Sequence, residues 1–126
     1  MTRPAPGISS GAQSFNWLVN RFADGTAGVI AAIAVSADGL LIAMSNVMER
    51  DSADRLAAIA SATLGLANGV SDSYPLGLPD KVIIELEHGY LLVCTMTIGC
   101  SLGVLASKPA SLGTIAYEME IGRAHV

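Results

Sequence analysis

The run Val29 to Ser36 (VIAAIAVS) limits the possible folds of this chain more than any other segment. It is apolar at every position but the last, so as a strand it has no face to give to water and must be covered on both sides. A sheet with helices above and below it is the expected setting. Ala37-Asp38-Gly39 follows, and Asp-Gly supplies the positive φ of a tight hairpin, so Leu40 to Ser45 (LLIAMS) returns as a second strand.

The flanking segments supply the cover. Phe15, Leu18, Val19 and Phe22 fall at i, i+3, i+4 and i+7, one stripe of a short helix over Ser14 to Ala23. Leu56, Ile59, Ala60, Thr63, Leu64 and Ala67 repeat the pattern in a longer helix over Ser52 to Asn68, with Ser52 as its expected N-cap. The opposite face of that helix is small rather than charged, with Ala58, Ser61, Ala62 and Gly65 beside Asp54, and small residues let another backbone come close. A breaker-rich loop spans Gly69 to Asp80, and Lys81 to Glu87 then reads as a strand with Val82, Ile84 and Leu86 on one face. Tyr90 to Thr97 and Cys100 to Ala106 complete an expected meander of five antiparallel strands. A last helix over Ala110 to Met119 begins after Pro109. The order α-β-β-α-β-β-β-α, with helices on both faces of a five-stranded antiparallel sheet, is a three-layer α/β sandwich.

Composition narrows the function classes. The 126 residues are 52% hydrophobic and 14% charged, against a usual charged share of about 25%, so a disordered chain is excluded and a partner is expected to cover part of the surface. Seven basic against eleven acidic residues give a net charge of −4, which repels a phosphate backbone, so no nucleic-acid partner is expected. Gly89 to Ser107 is uncharged, but Thr95, Thr97, Gly99, Ser101 and Gly103 interrupt it, so it reads as two strands and not as an integral membrane segment. Two cysteines make no disulfide framework and Met1 to Ala12 lacks the apolar centre of a signal peptide, which points to a cytoplasmic protein with free thiols.

No catalytic constellation emerges. Neither phosphate-loop glycine pattern occurs, and only His88 and His125 carry imidazole, too few for a zinc site or a hydrolase triad. Glu85 and Glu87 alternate along one strand, where solubility at an edge explains them better than paired acid-base chemistry. No cofactor, metal or catalytic residue is expected. Glu49-Arg50-Asp51 with Asp54 and Arg55 is the only dense polar cluster, read as helix capping and solvation or as a docking site for a protein partner.

The segments FNWLVNRF, VIAAIAVSADGLLIAMS, DRLAAIAS, VIIELEHGYLLV, SLGVLAS and LGTIAYEM resemble the Roadblock/dynein light chain superfamily, most of all the bacterial members of actinobacterial operons that adjoin a Ras-like GTPase and a sensor-kinase-like protein. The resemblance implies a profilin-like sandwich and dimers, with the same chain or a paralogue, in which the long helices pack side by side and the third strands join. It places Ala58, Ser61, Ala62 and Gly65 on the dimer helix face and Val82, Ile83, Ile84 and Glu85 on the pairing strand. It also implies regulation of a Ras-like small GTPase without catalytic residues of the chain's own. Arg50, Asp51, Asp54 and Arg55 are the residues proposed to meet that GTPase, although no family motif stands behind the two arginines.

Three regions are expected: a flexible arm over 1–12, the Roadblock/dynein light chain domain over 13–119, and a tail over 120–126. That tail, EIGRAHV, departs from the family pattern and matches the translation of a sequencing adapter, so it is expected to be non-native, with Gly122 stopping the helix. A small-molecule sensor on a related sandwich fold is the alternative reading, for which a pocket with convergent polar groups would speak.

Overall fold

The protein is described by a computed structural model that covers residues 10–97 and 99–124. The elements are α1 (Ser10–Gly25), β1 (Val29–Ser36), β2 (Leu41–Met44), α2 (Arg50–Ser73), β3 (Lys81–Leu86), β4 (Gly89–Thr97), β5 (Cys100–Ser107) and α3 (Leu112–Ala124). The five strands form one sheet in the order β2-β1-β5-β4-β3, every neighbour antiparallel. The element order and the antiparallel sheet are those expected. The meander is not: β1 pairs with β5, so the first hairpin joins the β3-β4-β5 unit through its last strand.

That pairing answers the demand of VIAAIAVS. Ala31 to Val35 are all buried, and they alternate between two cores. Ala32 and Ala34 face Leu18, Phe22, Ile115 and Met119 of α1 and α3, whereas Ile33 and Val35 face Ala53, Leu56, Ala57 and Ala60 of α2. The hairpin turns at Gly39, whose φ of 85° sits where a side chain would be strained. Ser45, fully buried, extends the β1–β2 pairing: its amide donates to the Ala32 carbonyl at 2.9 Å, and its hydroxyl accepts the Ala32 amide at 3.0 Å. A register shift between Thr95 and Thr97 sets Cys94 opposite Leu102, one place from the Gly103 that an unbroken hairpin gives it.

Helix boundaries differ from expectation for identifiable reasons. The first helix already includes Ser10 to Ala12, part of the expected arm, while residues 1–9 lie outside the described residues. The long helix starts at Arg50 with Glu49 as an extended N-cap that makes no side-chain hydrogen bond, so Ser52 lies inside it. It passes through Gly69, where nothing crowds the backbone, and stops at Ser73 because Pro75 forces Tyr74 out of helical geometry, at φ −135° and ψ 147°. The last helix starts at Leu112 rather than Ala110, since Ser111 Oγ accepts the Thr114 amide at 3.2 Å, which leaves Pro109 in the preceding turn.

It then runs on through Gly122 to Ala124. Gly122 is buried, and a β-carbon there would stand 2.8 Å from Leu18 Cδ1, so the bare backbone lets α3 lie against α1. Val126, His125 and the Ile98 position of the β4–β5 turn lie outside the described residues.

Candidate functional site

The surface of α2 combines with the free edge of β3. At about 100° per residue, the buried line Ala53, Leu56, Ala57, Ala60 and Thr63 leaves two flanks and a crest. Ala58 and Ala62 lie on the crest, exposed. Ile59, Leu66 and Val70 form the flank toward β3, 47%, 75% and 51% exposed. Ile59 was expected in the core stripe. It lies about a quarter-turn to the side, because the buried line runs through Ala53 and Ala57 instead.

Below that flank the chain continues as an exposed apolar loop, with Tyr74, Leu76 and Leu78 at the surface, and a shallow cavity of about 300 Å³ lies between Val70, Leu76, Leu78 and Lys81. Beyond it β3 pairs, among the described residues, only with β4. Val82 and Ile84 are half-buried on the α2 side, and Ile83 and Leu86 are exposed. An open strand edge thus lies beside an apolar helix flank, and exposed ladders and contiguous apolar patches are both features that invite a partner.

The sequence-derived helix residues divide across the crest. Ala58 and Ala62 border the apolar flank, while Ser61 and Gly65 lie on the other flank, where Ser61 sits against the Gly39 turn. Glu85 on β3 is held by Lys108, whose Nζ also donates to the Leu86 carbonyl at 3.2 Å and stands 4.9 Å from the Tyr90 ring centroid. The hydrogen bond to Glu85 holds the Lys108 ammonium above its ordinary range. Glu87 falls in the turn after β3 and pairs at 3.4 Å with His88, so the two glutamates do not share a strand face.

The charged cluster divides likewise. Arg50 Nε meets Asp54 Oδ1 at 3.1 Å one turn along the helix, both half or more exposed, an arrangement worth about 0.3–0.5 kcal/mol. Asp51 sits in the first turn, where its charge suits the helix dipole, and Arg55 projects on the β3 side with no ion pair among the described residues. Among the described residues no three His, Cys, Asp or Glu side chains gather as a metal site, and no helix is long and apolar enough to cross a membrane.

The signal for Ile59, Leu66 and Val70 was present in the sequence as a second apolar line, at i, i+7 and i+11, running beside the core stripe.

Residues 15–106 match the model of the Roadblock/LC7 domain. The solved structure of a Roadblock/LC7 domain from Streptomyces avermitilis superimposes with a TM-score of 0.83 at 29% identity, covering 88% of this chain and 92% of that one. Myxococcus xanthus MglB matches with a TM-score of 0.82 at 14% identity over 93% of this chain and 87% of that one. Acanthamoeba castellanii profilin II shares the fold with a TM-score of 0.58 at 16% identity, over 88% and 94%. No curated protein matches the sequence.

Proposed function

Because this chain belongs to the Roadblock/LC7 domain family, on a match covering residues 15–106, we propose that it is a non-catalytic regulatory or scaffold protein that dimerises and then binds a Ras-like small GTPase. The observation that carries the reading is the exposed apolar flank of α2, Ile59, Leu66 and Val70, lying beside the unpaired edge of β3. A second copy, or a paralogue of the same fold, would cover both at once: α2 against α2 and β3 against β3, with Ala58 and Ala62 allowing close approach. Val82, Ile83, Ile84 and Glu85 would line the strand junction.

The charged start of α2 would then meet the GTPase. Arg50, Asp51, Asp54 and Arg55 are exposed, so as rim charges they would set encounter rate and orientation more than chemistry. The resemblance to operon-encoded members adds a sensor-kinase-like protein as a further partner and the cytoplasm as the setting.

The test is co-purification with the Ras-like GTPase of the neighbouring gene, loaded in turn with GDP and GTP, with phosphate release followed alongside. Binding of one nucleotide state, weakened several-fold by Arg55→Glu, is the expected result. Absence of binding by a folded, dimeric chain in both states would refute the GTPase assignment and leave dimerisation standing.

A further inference from the structure

The free edge of β3 carries a charge pattern that complements itself when the strand is reversed. Lys81, Ile83 and Glu85 sit opposite Cys94, Leu92 and Tyr90 of β4, which pack in the core under α1 and α3, so these three side chains stand on that face of the sheet. Val82 and Ile84, opposite Val93 and Leu91, stand on the α2 face. Ile83 is 45% exposed, and the Glu85 side chain is exposed beside it.

Two copies of one strand can pair antiparallel about a two-fold axis, and directly opposed residues must then point to the same face, which leaves registers centred on a single residue. Centring on Glu85 sets two carboxylates against each other. Centring on Ile84 sets Glu85 against the apolar Ile83 and carries Lys81 past the strand to Glu87, which lies in the turn and pairs with His88. Centring on Val82 carries Glu85 beyond the start of the other strand, to Pro79. Centring on Ile83 opposes strand residues throughout: Ile83 with itself, Val82 with Ile84, and Lys81 with Glu85 on both sides of the axis.

We propose, on the reading that the chain dimerises through α2 and β3, that its partner is a second copy of itself rather than a paralogue, joined in the register centred on Ile83 with Lys81 of each copy opposite Glu85 of the other. Both groups have capacity for the added contact. Lys81 Nζ meets Asp80 at 2.5 Å and Glu85 is held by Lys108, but an ammonium has three donors and a carboxylate about four acceptor sites. On each side of the axis, Arg123, Asp80 and Lys81 of one copy then form a row of alternating sign with Glu85 and Lys108 of the other. Because these side chains remain partly in water, they select the partner and the register more than they add to affinity.

The test mixes two variants of the full chain. Lys81→Glu and Glu85→Lys each place two like-charge contacts across the axis, so each alone should dimerise about tenfold or more weakly than the unmodified chain. Mixed in equal amounts they restore both opposite-charge contacts, and native mass spectrometry should find at least about nine tenths of the dimer as heterodimer. Each variant's changed contacts within its own chain are the same in both kinds of dimer, so the comparison isolates the contact between copies. A second measurement reads the register directly, in a Cys100→Ser background under diamide. Ile83→Cys should form a disulfide-linked dimer, because opposed β-carbons lie about 4.5–5.5 Å apart, and Ile84→Cys, on a diagonal of about 7–8 Å, should do so at least about tenfold more slowly. A monomeric unmodified chain would overturn the dimer reading itself. A dimeric chain whose variants mix to the statistical half, or that cross-links faster through Ile84→Cys, would overturn the register and leave dimerisation standing.

Discussion

The guanidinium of Arg123, one residue from the end of α3, lies 3.3 Å from the carboxylate of Asp80, the residue before β3. The contact ties the last helix to the strand whose other edge is free. Lys81 shares the same carboxylate at 2.5 Å, and Glu120 pairs with Arg123 at 3.3 Å.

That arrangement sets a pH dependence of defined sign. The hydrogen bond from Lys81 holds the Asp80 carboxyl below its usual range, burial opposes the shift, and Arg123 reinforces it. A carboxyl with a lowered folded pKa contributes stability that is fully present above its unfolded value, about 3.9, and lost as pH falls through the folded value. The stability difference between the unmodified chain and Asp80→Asn should therefore be constant from neutrality down to about pH 5 and shrink below about pH 4. Its size should be small and salt-sensitive, because the side chain is 56% exposed. Urea midpoints for both proteins across that range check this, and a difference that grows on acidification would contradict it.

Ser45→Ala should destabilise the fold by about 1–3 kcal/mol. The substitution removes the oxygen that accepts the amide of Ala32, on the strand that both cores depend on, at a fully buried position. Ser36→Ala, at the exposed hairpin end of the same strand, should cost less despite losing its bond with the Leu40 amide. Denaturant unfolding of both variants measures the contrast.

The two thiols should differ in reactivity. Cys94 is fully buried, and burial pushes its thiol up from the ordinary range, although Arg123 nearby pulls the other way. Cys100 is only half-buried. Iodoacetamide at neutral pH should label Cys100 first, and Cys94 only as fast as the protein unfolds. Mass spectrometry of the partly labelled protein reads the order.

How far the sequence disclosed this architecture depends on the range of each determinant. The both-faces burial of β1, the Asp-Gly hairpin and the stripe of Phe15, Leu18, Val19 and Phe22 are local patterns, and the fold keeps them. The pairing of β1 with β5 joins segments far apart in the chain, and no local pattern encodes it. Gly69 misled because a glycine in an exposed helix is a modest cost, about 1 kcal/mol, which the rest of a long helix outweighs, whereas Pro75 acts through sterics and ends the helix. Gly122 misled in the same way, since its lack of a side chain serves the contact with Leu18. Of the candidate site, the small crest residues Ala58 and Ala62 were readable. Ile59 lay on a visible second apolar line with Leu66 and Val70, but such a line beside a core stripe has the same signature whether a core or a partner covers it.

The proposed function requires self-association through the crest of α2, its apolar flank and the edge of β3. Light scattering coupled to size exclusion, at micromolar concentration, tests it most directly when the unmodified chain is run beside Ala62→Arg, Leu66→Arg and, on the far flank, Asn68→Arg. A dimer is predicted for the unmodified chain and for Asn68→Arg, with folded monomers for Ala62→Arg and Leu66→Arg, where a guanidinium would lie unpaired in a close apolar contact. A monomeric unmodified chain, or a dimer that survives both Ala62→Arg and Leu66→Arg, would contradict it.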